Sequence, residues 1–268
     1  MELTRRSFLG SAGAGILAAS MPKLVFAETD SKTLPEYSFI QLTDTHVPDE
    51  SGIERTRAVV EAINSFSLPY DSIIHTGDAS HSHGNAEDMR KAHELLRFKK
   101  KAYFIPGNAD ITFEEPDKYE PVFEDEFGPC NQSFTPVPGL RFALFNSQAL
   151  SDRANASVRE KAFDKLKKML SPSMITILFC HATGLPDFYE NQMHNGWKEE
   201  TRSRWTKLMK QGGVFAVMAG HYHRDESHML DNIPVHLCAP VVGWWGRQTT
   251  FRHWTLKDGR LTYRTIYV

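Results

Sequence analysis

The chain has 268 residues and a formal charge of −2 at pH 7, with 24% charged and 11% aromatic residues. These ordinary values exclude a mainly disordered chain. They also argue against a nucleic-acid partner, because such binders usually carry a strongly basic face. Twelve histidines are an unusual number for this length. Histidine is the commonest metal ligand, so the composition points to metal binding.

The first 27 residues read as an export signal rather than as part of the fold. The motif TRRSFL at residues 4–9 contains the pair Arg5 and Arg6, and a Gly/Ala-rich apolar run and the small-residue site VFA follow it. This is a twin-arginine (Tat) pattern. We expect the Tat export machinery to deliver residues 28–268 to the periplasm, with no stable membrane span after cleavage. A short buried or anchoring helix is the alternative.

Apolar periodicity predicts an α/β chain in which strands and helices alternate. Strands are predicted at Tyr37–Leu42, 71–75, 102–105, 140–145, 174–179 and 214–218, with Phe134 in a strand that pairs with 140–145. Helices are predicted at 53–66, 86–98, 158–170 and 197–209. The acidic, Pro-containing stretch 111–130 is predicted to be an insertion or lid. After residue 227 the pattern indicates short antiparallel strands.

Polar clusters recur at one place, the loop that follows each of five predicted strands. They are Asp44-Thr45-His46, Gly77-Asp78, Gly107-Asn108, His181 and Gly220-His221-Tyr222-His223. In open α/β sheets the functional crevice lies beyond the carboxyl ends of the strands. We therefore expect these loops to converge on one rim.

Once converged, these loops supply two aspartates, one asparagine and four histidines. Oxygen and imidazole donors in this mixture suit borderline first-row divalent metals such as Mn, Fe or Zn. Seven side chains are too many for one ion and fit two ions that share a carboxylate. Such a pair forms a clamp for phosphate-ester hydrolysis. The three cysteines form no C-x-x-C pair, so a thiolate zinc site is not expected.

Together these motifs resemble those of the calcineurin-like metallophosphoesterase superfamily, over nearly all of residues 28–268. The neighbourhood of residues 87–110 is most similar to the cyclic-nucleotide phosphodiesterase branch. The resemblance implies a four-layer α/β/β/α sandwich with two mixed sheets flanked by helices. It also implies a hydrolase, first of all a phosphodiesterase, that acts on a small phosphate-ester substrate with two divalent metal ions.

The resemblance also implies a role for each matching residue. The expected ligands of the first metal are Asp44, His46, Asp78 and His223. The expected ligands of the second metal are Asp78, Asn108, His181 and His221. Asp78 would bridge the ions, a bridging hydroxide would attack phosphorus, and Asp78, Asn108 and His181 would be catalytic.

One position departs from the family pattern, in which Gly-Asn-His precedes an acid. The sequence here is Gly107-Asn108-Ala109-Asp110, so the histidine that protonates the leaving alkoxide or orients substrate is missing. The protein would then prefer good leaving groups, use another histidine instead, or bind metal and phosphate ligands without catalysis. A phosphomonoesterase is a further alternative. We expect Asp110 to be placed to orient a histidine introduced at position 109.

Candidate substrate-binding residues lie outside the metal motifs. They are His81, His83, His194 and Arg247, of which the three histidines are also the candidates to replace the missing one. Arg247 would pair with a phosphate. Trp244 and Trp245 would line a pocket, although tryptophans in strands are more often core residues. The remaining histidines are expected to be structural: His75, His93, His228, His236 and His253.

Overall fold

The computed structural model describes residues 36–186 and 196–268, and within them the chain forms eleven strands and five α-helices. The strands are β1 (Tyr37–Leu42), β2 (Ser72–His75), β3 (Ala102–Phe104), β4 (Gln132–Val137), β5 (Leu140–Leu144), β6 (Ile175–Phe179), β7 (Val214–Ala219), β8 (Glu226–Leu230), β9 (Ile233–Leu237), β10 (Thr250–Lys257) and β11 (Arg260–Tyr267). The helices are α1 (Glu50–Asn64), α2 (Ala86–Leu95), α3 (Pro116–Phe127), α4 (Ala156–Met169) and α5 (Glu199–Gln211). The predicted signal at 1–27 and His194 lie outside the described residues.

The strands form two mixed sheets. The first has the order β11-β10-β1-β2-β3, and the second has the order β4-β5-β6-β7-β9-β8. In the first sheet β2 pairs parallel with both β1 and β3, and in the second sheet the parallel pairs are β5–β6, β6–β7 and β7–β9. The outer strands pair antiparallel. The prediction of two mixed sheets flanked by helices is confirmed.

Three apolar layers follow from the alternation of side chains along each strand. On β1, Phe39 packs in the layer between the two sheets, whereas Ile40 and Leu42 pack in the layer beneath α1 to α3. On β6, Ile177 belongs to the layer between the sheets and Leu178 to the layer beneath α4 and α5. Successive side chains of a strand point to opposite faces, so strands covered on both faces are mostly apolar. This is why β1 and β6 are largely apolar, with Ser38 and Gln41 on β1 and Thr176 on β6 as the exceptions.

The stretch 111–130, predicted to be an insertion or lid, packs into the core, so the lid alternative is wrong. It contains α3, whose Phe123 and Phe127 are buried in the same apolar layer as Met89 of α2. Pro116 occupies the first turn of the helix, where a missing N–H costs little. Pro121 lies inside the helix, and this explains why the sequence looked irregular.

Two further observations complete the fold. All three cysteines are buried free thiols: Cys130, Cys180 and Cys238. Across the described ranges, no helix is both long and apolar enough to cross a membrane.

Candidate metal centre

The seven predicted metal ligands all lie in loops at the carboxyl ends of strands. Asp44 and His46 follow β1, Asp78 follows β2 and Asn108 follows β3 in the first sheet. His181 follows β6, and His221 and His223 follow β7 in the second sheet. The two sheets bring these loops together, since His181 Nε2 lies 3.2 Å from Asp78 Oδ2 and His223 Nε2 lies 3.2 Å from Asp44 Oδ1. The expected convergence on one rim is therefore present.

Backbone strain is concentrated in these loops. Five of the seven predicted ligands have a positive φ between 49° and 73°: Asp44, His46, Asp78, His221 and His223. Residues other than glycine rarely adopt this left-handed conformation, and it persists only where the surroundings impose it. At Asp44 and His46 the backbone N–H groups donate to the carbonyls of Gly77 and Asp78, at 2.9 and 3.0 Å, and these bonds hold the two residues in this conformation.

The backbone of the loop after β3 lies close to the Asp78 carboxylate and fixes its position. A Cβ at Gly107 would lie 2.0 Å from Asp78 Oδ1, so only glycine allows the loop after β3 to approach so closely. Two residues further on, the N–H of Ala109 donates to the same oxygen at 2.7 Å. The other carboxylate oxygen, Oδ2, remains directed toward the histidines His46 and His181, at 3.5 and 3.2 Å.

The first cluster joins Asp44, His46 and His223, which each offer one ligand atom within 4.8 Å of the others. His46 Nε2 and His223 Nε2 are 3.3 Å apart, and Asp44 Oδ1 is 3.8 Å from His46 Nε2. All three side chains are almost fully buried. Asp44 Oδ1 is buried and accepts no hydrogen bond, which is the state of an atom that a cation would complete.

The second cluster joins Asp78, His181 and His221 under the same distance limit. His181 Nδ1 lies 2.8 Å from the carbonyl of Thr76, which can only accept, so Nδ1 carries a proton and Nε2 is the nitrogen that faces Asp78 and that a metal ion would use. His181 Nε2 and Asn108 Oδ1 are buried without a hydrogen-bond partner. The residues present therefore fit a second divalent ion beside the first.

The carboxylates and imidazoles of the site shift one another's pKa values. Burial alone would raise the pKa of Asp44 and Asp78, but the neighbouring histidines outweigh burial and hold both pKa values well below their usual range. Burial opposes a charge on His181, yet Asp78 and Asp44 raise its pKa to about 9. The site is thus built for buried anions opposite cations, and metal ions can take the place of protons on these ligands.

Comparison with known proteins decides the family. A family model described as calcineurin-like phosphoesterase matches residues 37–225. The chain belongs to this family. A curated relative, the 3',5'-cyclic adenosine monophosphate phosphodiesterase CpdA of Vibrio vulnificus (strain CMCP6), is 34% identical over 228 residues, which cover 77% of this chain and 78% of the relative. The family depends on two metal ions, and the two clusters meet that requirement.

Solved structures support the same fold at low sequence identity. A dimetal phosphatase from Danio rerio has a TM-score of 0.58 and 12% identity, over 86% of this chain and 98% of that one. GAP50, titled the anchor in the inner membrane complex of Plasmodium, has a TM-score of 0.61 and 12% identity, over 87% and 84%.

Two predicted substrate-binding histidines border the phosphoesterase centre in different ways. His81 Nδ1 lies 3.1 Å from His46 Nδ1, so one ring donates and the other accepts, and burial lowers the pKa of His81. His83 lies against the loop after β3. Its backbone N–H donates to the carbonyl of Ala109 at 2.8 Å, and its ring Nδ1 is 3.0 Å from the carbonyl of Asn108. His83 is thus the nearer of the two to position 109.

The other predicted substrate residues differ in their placement. Arg247 is exposed, and its backbone carbonyl accepts a hydrogen bond from Arg55 at 3.3 Å. Trp244 is partly buried, and its ring lies 4.2 Å from that of His46 and stacks on His223 at 5.6 Å. Trp244 therefore covers the first cluster and is not a core residue of a strand.

Asp110 has a different role from the one that the sequence indicated. Its two carboxylate oxygens accept hydrogen bonds from the N–H groups of Gly107, Ala79 and Ser80, at 2.8, 3.2 and 2.7 Å, and from the hydroxyl of Ser80 at 2.9 Å. The carboxylate thereby joins the loops that follow β2 and β3. Asp110 is not free to orient a histidine at position 109, so that expectation is wrong.

Phe113 was not singled out from the sequence. Its ring lies 5.9 Å from that of His221, and the guanidinium of Arg153 lies 5.5 Å from Phe113. No motif marks this residue, because its position depends on how the loop before α3 crosses the second cluster. The expected structural role of His75 agrees with its burial and its stacking on Phe104.

Proposed function

We propose that this chain is an exported, metal-dependent phosphodiesterase. The observation that carries the proposal is the position of Asp78 Oδ2, which lies within 3.5 Å of a histidine from each of the two expected ligand sets, His46 and His181. A shared carboxylate between two clusters is the arrangement that holds two metal ions close together. The identity to a curated cyclic-nucleotide phosphodiesterase supports the reaction class.

The donor set supports an assignment of ligands to each of the two ions. Asp44, His46 and His223 would hold the first ion and His181, His221 and Asn108 the second, with Asp78 shared. When bound, such a pair of divalent ions supplies positive charge for the phosphate oxygens and a water acidic enough to become the nucleophile. The chain itself fixes the tautomer of His181 through Thr76 and orients Asp78 through Ala109.

Aromatic side chains on both sides of the centre favour a diester over a monoester. Trp244 lies beside the first cluster, against His46 and His223. Phe113 lies beside the second cluster, against His221. A diester has two organic substituents and can use both apolar surfaces, whereas a monoester has one substituent and an additional negative charge.

The test compares two chromogenic substrates on protein loaded with manganese. Bis-p-nitrophenyl phosphate should be turned over with a higher kcat/KM than p-nitrophenyl phosphate, and 3',5'-cyclic adenosine monophosphate is the first natural diester to assay. Asp44→Asn should abolish both activities, whereas Asp88→Asn, a buried acid of α2, serves as the matched control. Faster turnover of the monoester would replace the proposal by a phosphomonoesterase.

A non-catalytic role is the second candidate, and Ala109 is the observation that favours it. Without the usual histidine the protein would bind metal and phosphate ligands with no turnover. General acid help contributes about 10²- to 10⁴-fold, so its loss slows a reaction that the metal pair still supports. Metal content near two per chain with no hydrolysis of any diester would establish the binding role.

Export is proposed from the pattern at residues 4–9 and the site at 25–27. Replacing both Arg5 and Arg6 by lysine keeps the positive charge and removes the twin-arginine pair. We expect this variant to accumulate as precursor in the cytoplasm. Normal periplasmic accumulation of the lysine variant would overturn the export proposal.

A further inference from the structure

An exposed indole stands at the rim of the metal centre. The side chain of Trp245 is 64% exposed, although it follows Trp244, which covers the first cluster. The other large apolar residues that are exposed in the described ranges are Met229, Tyr267 and Val268, on the edge strands β8 and β11 and at the last residue. Isolated apolar residues on a surface need no explanation. Trp245 differs because its ring lies 5.0 Å from that of His223.

The backbone holds Trp245 in a strained conformation. Its φ of 54° and ψ of 30° lie in the left-handed region, which is unfavourable for a bulky side chain. Gly246, the next residue, also has a positive φ of 72°. A conformation of this kind persists only where the surroundings impose it, and such residues cluster at functional sites.

Arg55 of α1 supports this loop from behind. Its guanidinium packs directly on Gly243, where an added Cβ would lie 2.2 to 2.5 Å from guanidinium atoms. It also donates hydrogen bonds to the hydroxyl of Thr249 at 2.8 Å and to the carbonyl of Arg247 at 3.3 Å. These contacts fix both ends of the segment 243–249. Trp245 is thus presented by an anchored loop.

The two aromatic rings beside Trp245 do not stack parallel on its indole. The His223 ring meets it at an interplanar angle of 67°, and the Trp244 ring meets it at 79°. Both are T-shaped contacts, so neither ring stacks parallel on the indole. Because 64% of the side chain remains exposed, a planar group held next to the first cluster can stack on Trp245.

We propose that Trp245 is a specificity residue that stacks on the base of a nucleotide phosphodiester while the phosphate occupies the metal centre. Every nucleobase has a π-face, and stacking on an aromatic side chain tolerates any base. The chemical class of the substrate is thus a nucleotide ester, with no selection among bases by Trp245. This inference rests on the proposed phosphodiesterase function and names the part of the substrate that this side chain recognises.

Two diesters with the same leaving group test the inference. Thymidine 5'-(p-nitrophenyl phosphate) carries a base, whereas methyl p-nitrophenyl phosphate does not. The wild-type protein should favour the nucleotide substrate, and Trp245→Ala should lower the ratio of the two kcat/KM values by about 5- to 100-fold. Trp245→Phe should keep most of the ratio. Met229→Ala, another exposed apolar side chain, is the matched control and should leave the ratio unchanged.

A binding measurement separates this inference from the proposed reaction. Calorimetry on metal-loaded protein should show tighter binding of adenosine 5'-monophosphate than of ribose 5-phosphate, and Trp245→Ala should remove the difference. Failure to hydrolyse either diester would overturn the phosphodiesterase proposal, while this binding difference would still support stacking. Equal binding of the two monophosphates, or a substrate ratio that Trp245→Ala does not change, would overturn the stacking proposal alone.

Discussion

The N–H of Ala109 donates a 2.7 Å hydrogen bond to Oδ1 of Asp78, the carboxylate between the two clusters. The main chain of residue 109 therefore orients the shared ligand, whatever side chain the residue carries. The Ala109 side chain is a methyl group and is almost fully buried. Loss of the family's histidine thus removes a proton donor without removing this contact, so the metal site and the acid can be tested separately.

We predict that Ala109→His makes the rate less dependent on the leaving group. Without an acid the leaving alkoxide departs with its full developing charge, so kcat/KM should fall steeply as the leaving-group pKa rises. An imidazole that protonates the leaving oxygen acts only in the transition state and should speed poor leaving groups by up to about 10²- to 10⁴-fold. The measurement is a series of aryl and alkyl diesters on both proteins.

Ala109→Gln is the control for the size of the new side chain, because glutamine cannot supply a proton. It should keep the steep dependence of the wild type. Since Asp110 is bound to backbone N–H groups, the new imidazole would lack an orienting carboxylate, and the gain should lie at the low end of the range. Equal slopes for histidine, glutamine and wild type would show that position 109 does not face the leaving group.

Of the two described candidates to replace the missing histidine, His83 lies nearer to position 109 than His81. We predict that His83→Ala lowers kcat/KM for alkyl diesters more than for p-nitrophenyl diesters, if its ring supplies the missing proton. Its contacts with the carbonyls of Asn108 and Ala109 place it beside the gap. His81→Ala is the comparison, because His81 contacts His46 and should instead alter metal affinity. A uniform loss across all substrates for His83→Ala would remove it as the acid.

The position of Asp78 predicts the stoichiometry of the metals. Asp78→Asn should reduce bound metal from about two ions per chain to less than one, because both sites lose an anionic ligand. Metal content is measured by elemental analysis of the purified protein. Asp88→Asn is the matched control, a buried acid that pairs with Lys91 on α2. Wild-type metal content in Asp78→Asn would contradict a shared carboxylate.

The sequence allowed the elements and the loops of the site to be predicted for one physical reason. Strands such as β1 and β6 are covered on both faces, so most of their residues are apolar, and polar residues follow where each strand ends. The polar motifs that follow are therefore found at the correct edge. That the seven residues from these motifs are metal ligands remains a prediction, and the geometry of the two clusters supports it.

Features that depend on distant parts of the chain were not predictable. The last strands, β10 and β11, return to pair beside β1, and no local pattern encodes that order. The contacts of Asp110 with Ala79 and Ser80 join residues about thirty positions apart. The place of Trp244 against His46 and His223 arises only in the folded chain, so the sequence could not separate it from a core residue. The export signal and the role of His194 stay predictions.

The histidine beneath the site predicts how stability depends on pH. His75 is fully buried, and burial lowers its pKa from 6.5 to about 3. Its Nε2 lies 3.2 Å from the hydroxyl of Thr45, and its ring stacks on Phe104. Below about pH 6.5 the unfolded chain binds a proton at this residue that the folded chain does not bind. Its contribution to stability is therefore complete above pH 6.5 and is lost as the pH falls toward 3.

We predict that His75→Phe removes this part of the pH dependence while it keeps the stacking on Phe104. Between about pH 6 and pH 3 the free energy of unfolding of the wild type should fall by about 1.4 kcal/mol per pH unit more than that of the variant. The measurement is urea unfolding of the metal-free protein across this range, so that metal release does not contribute. Nuclear magnetic resonance of the His75 ring gives an independent readout, since the ring should remain neutral down to about pH 4. Parallel pH profiles for both proteins, together with a His75 ring that titrates near 6.5, would contradict a buried neutral histidine beneath the centre.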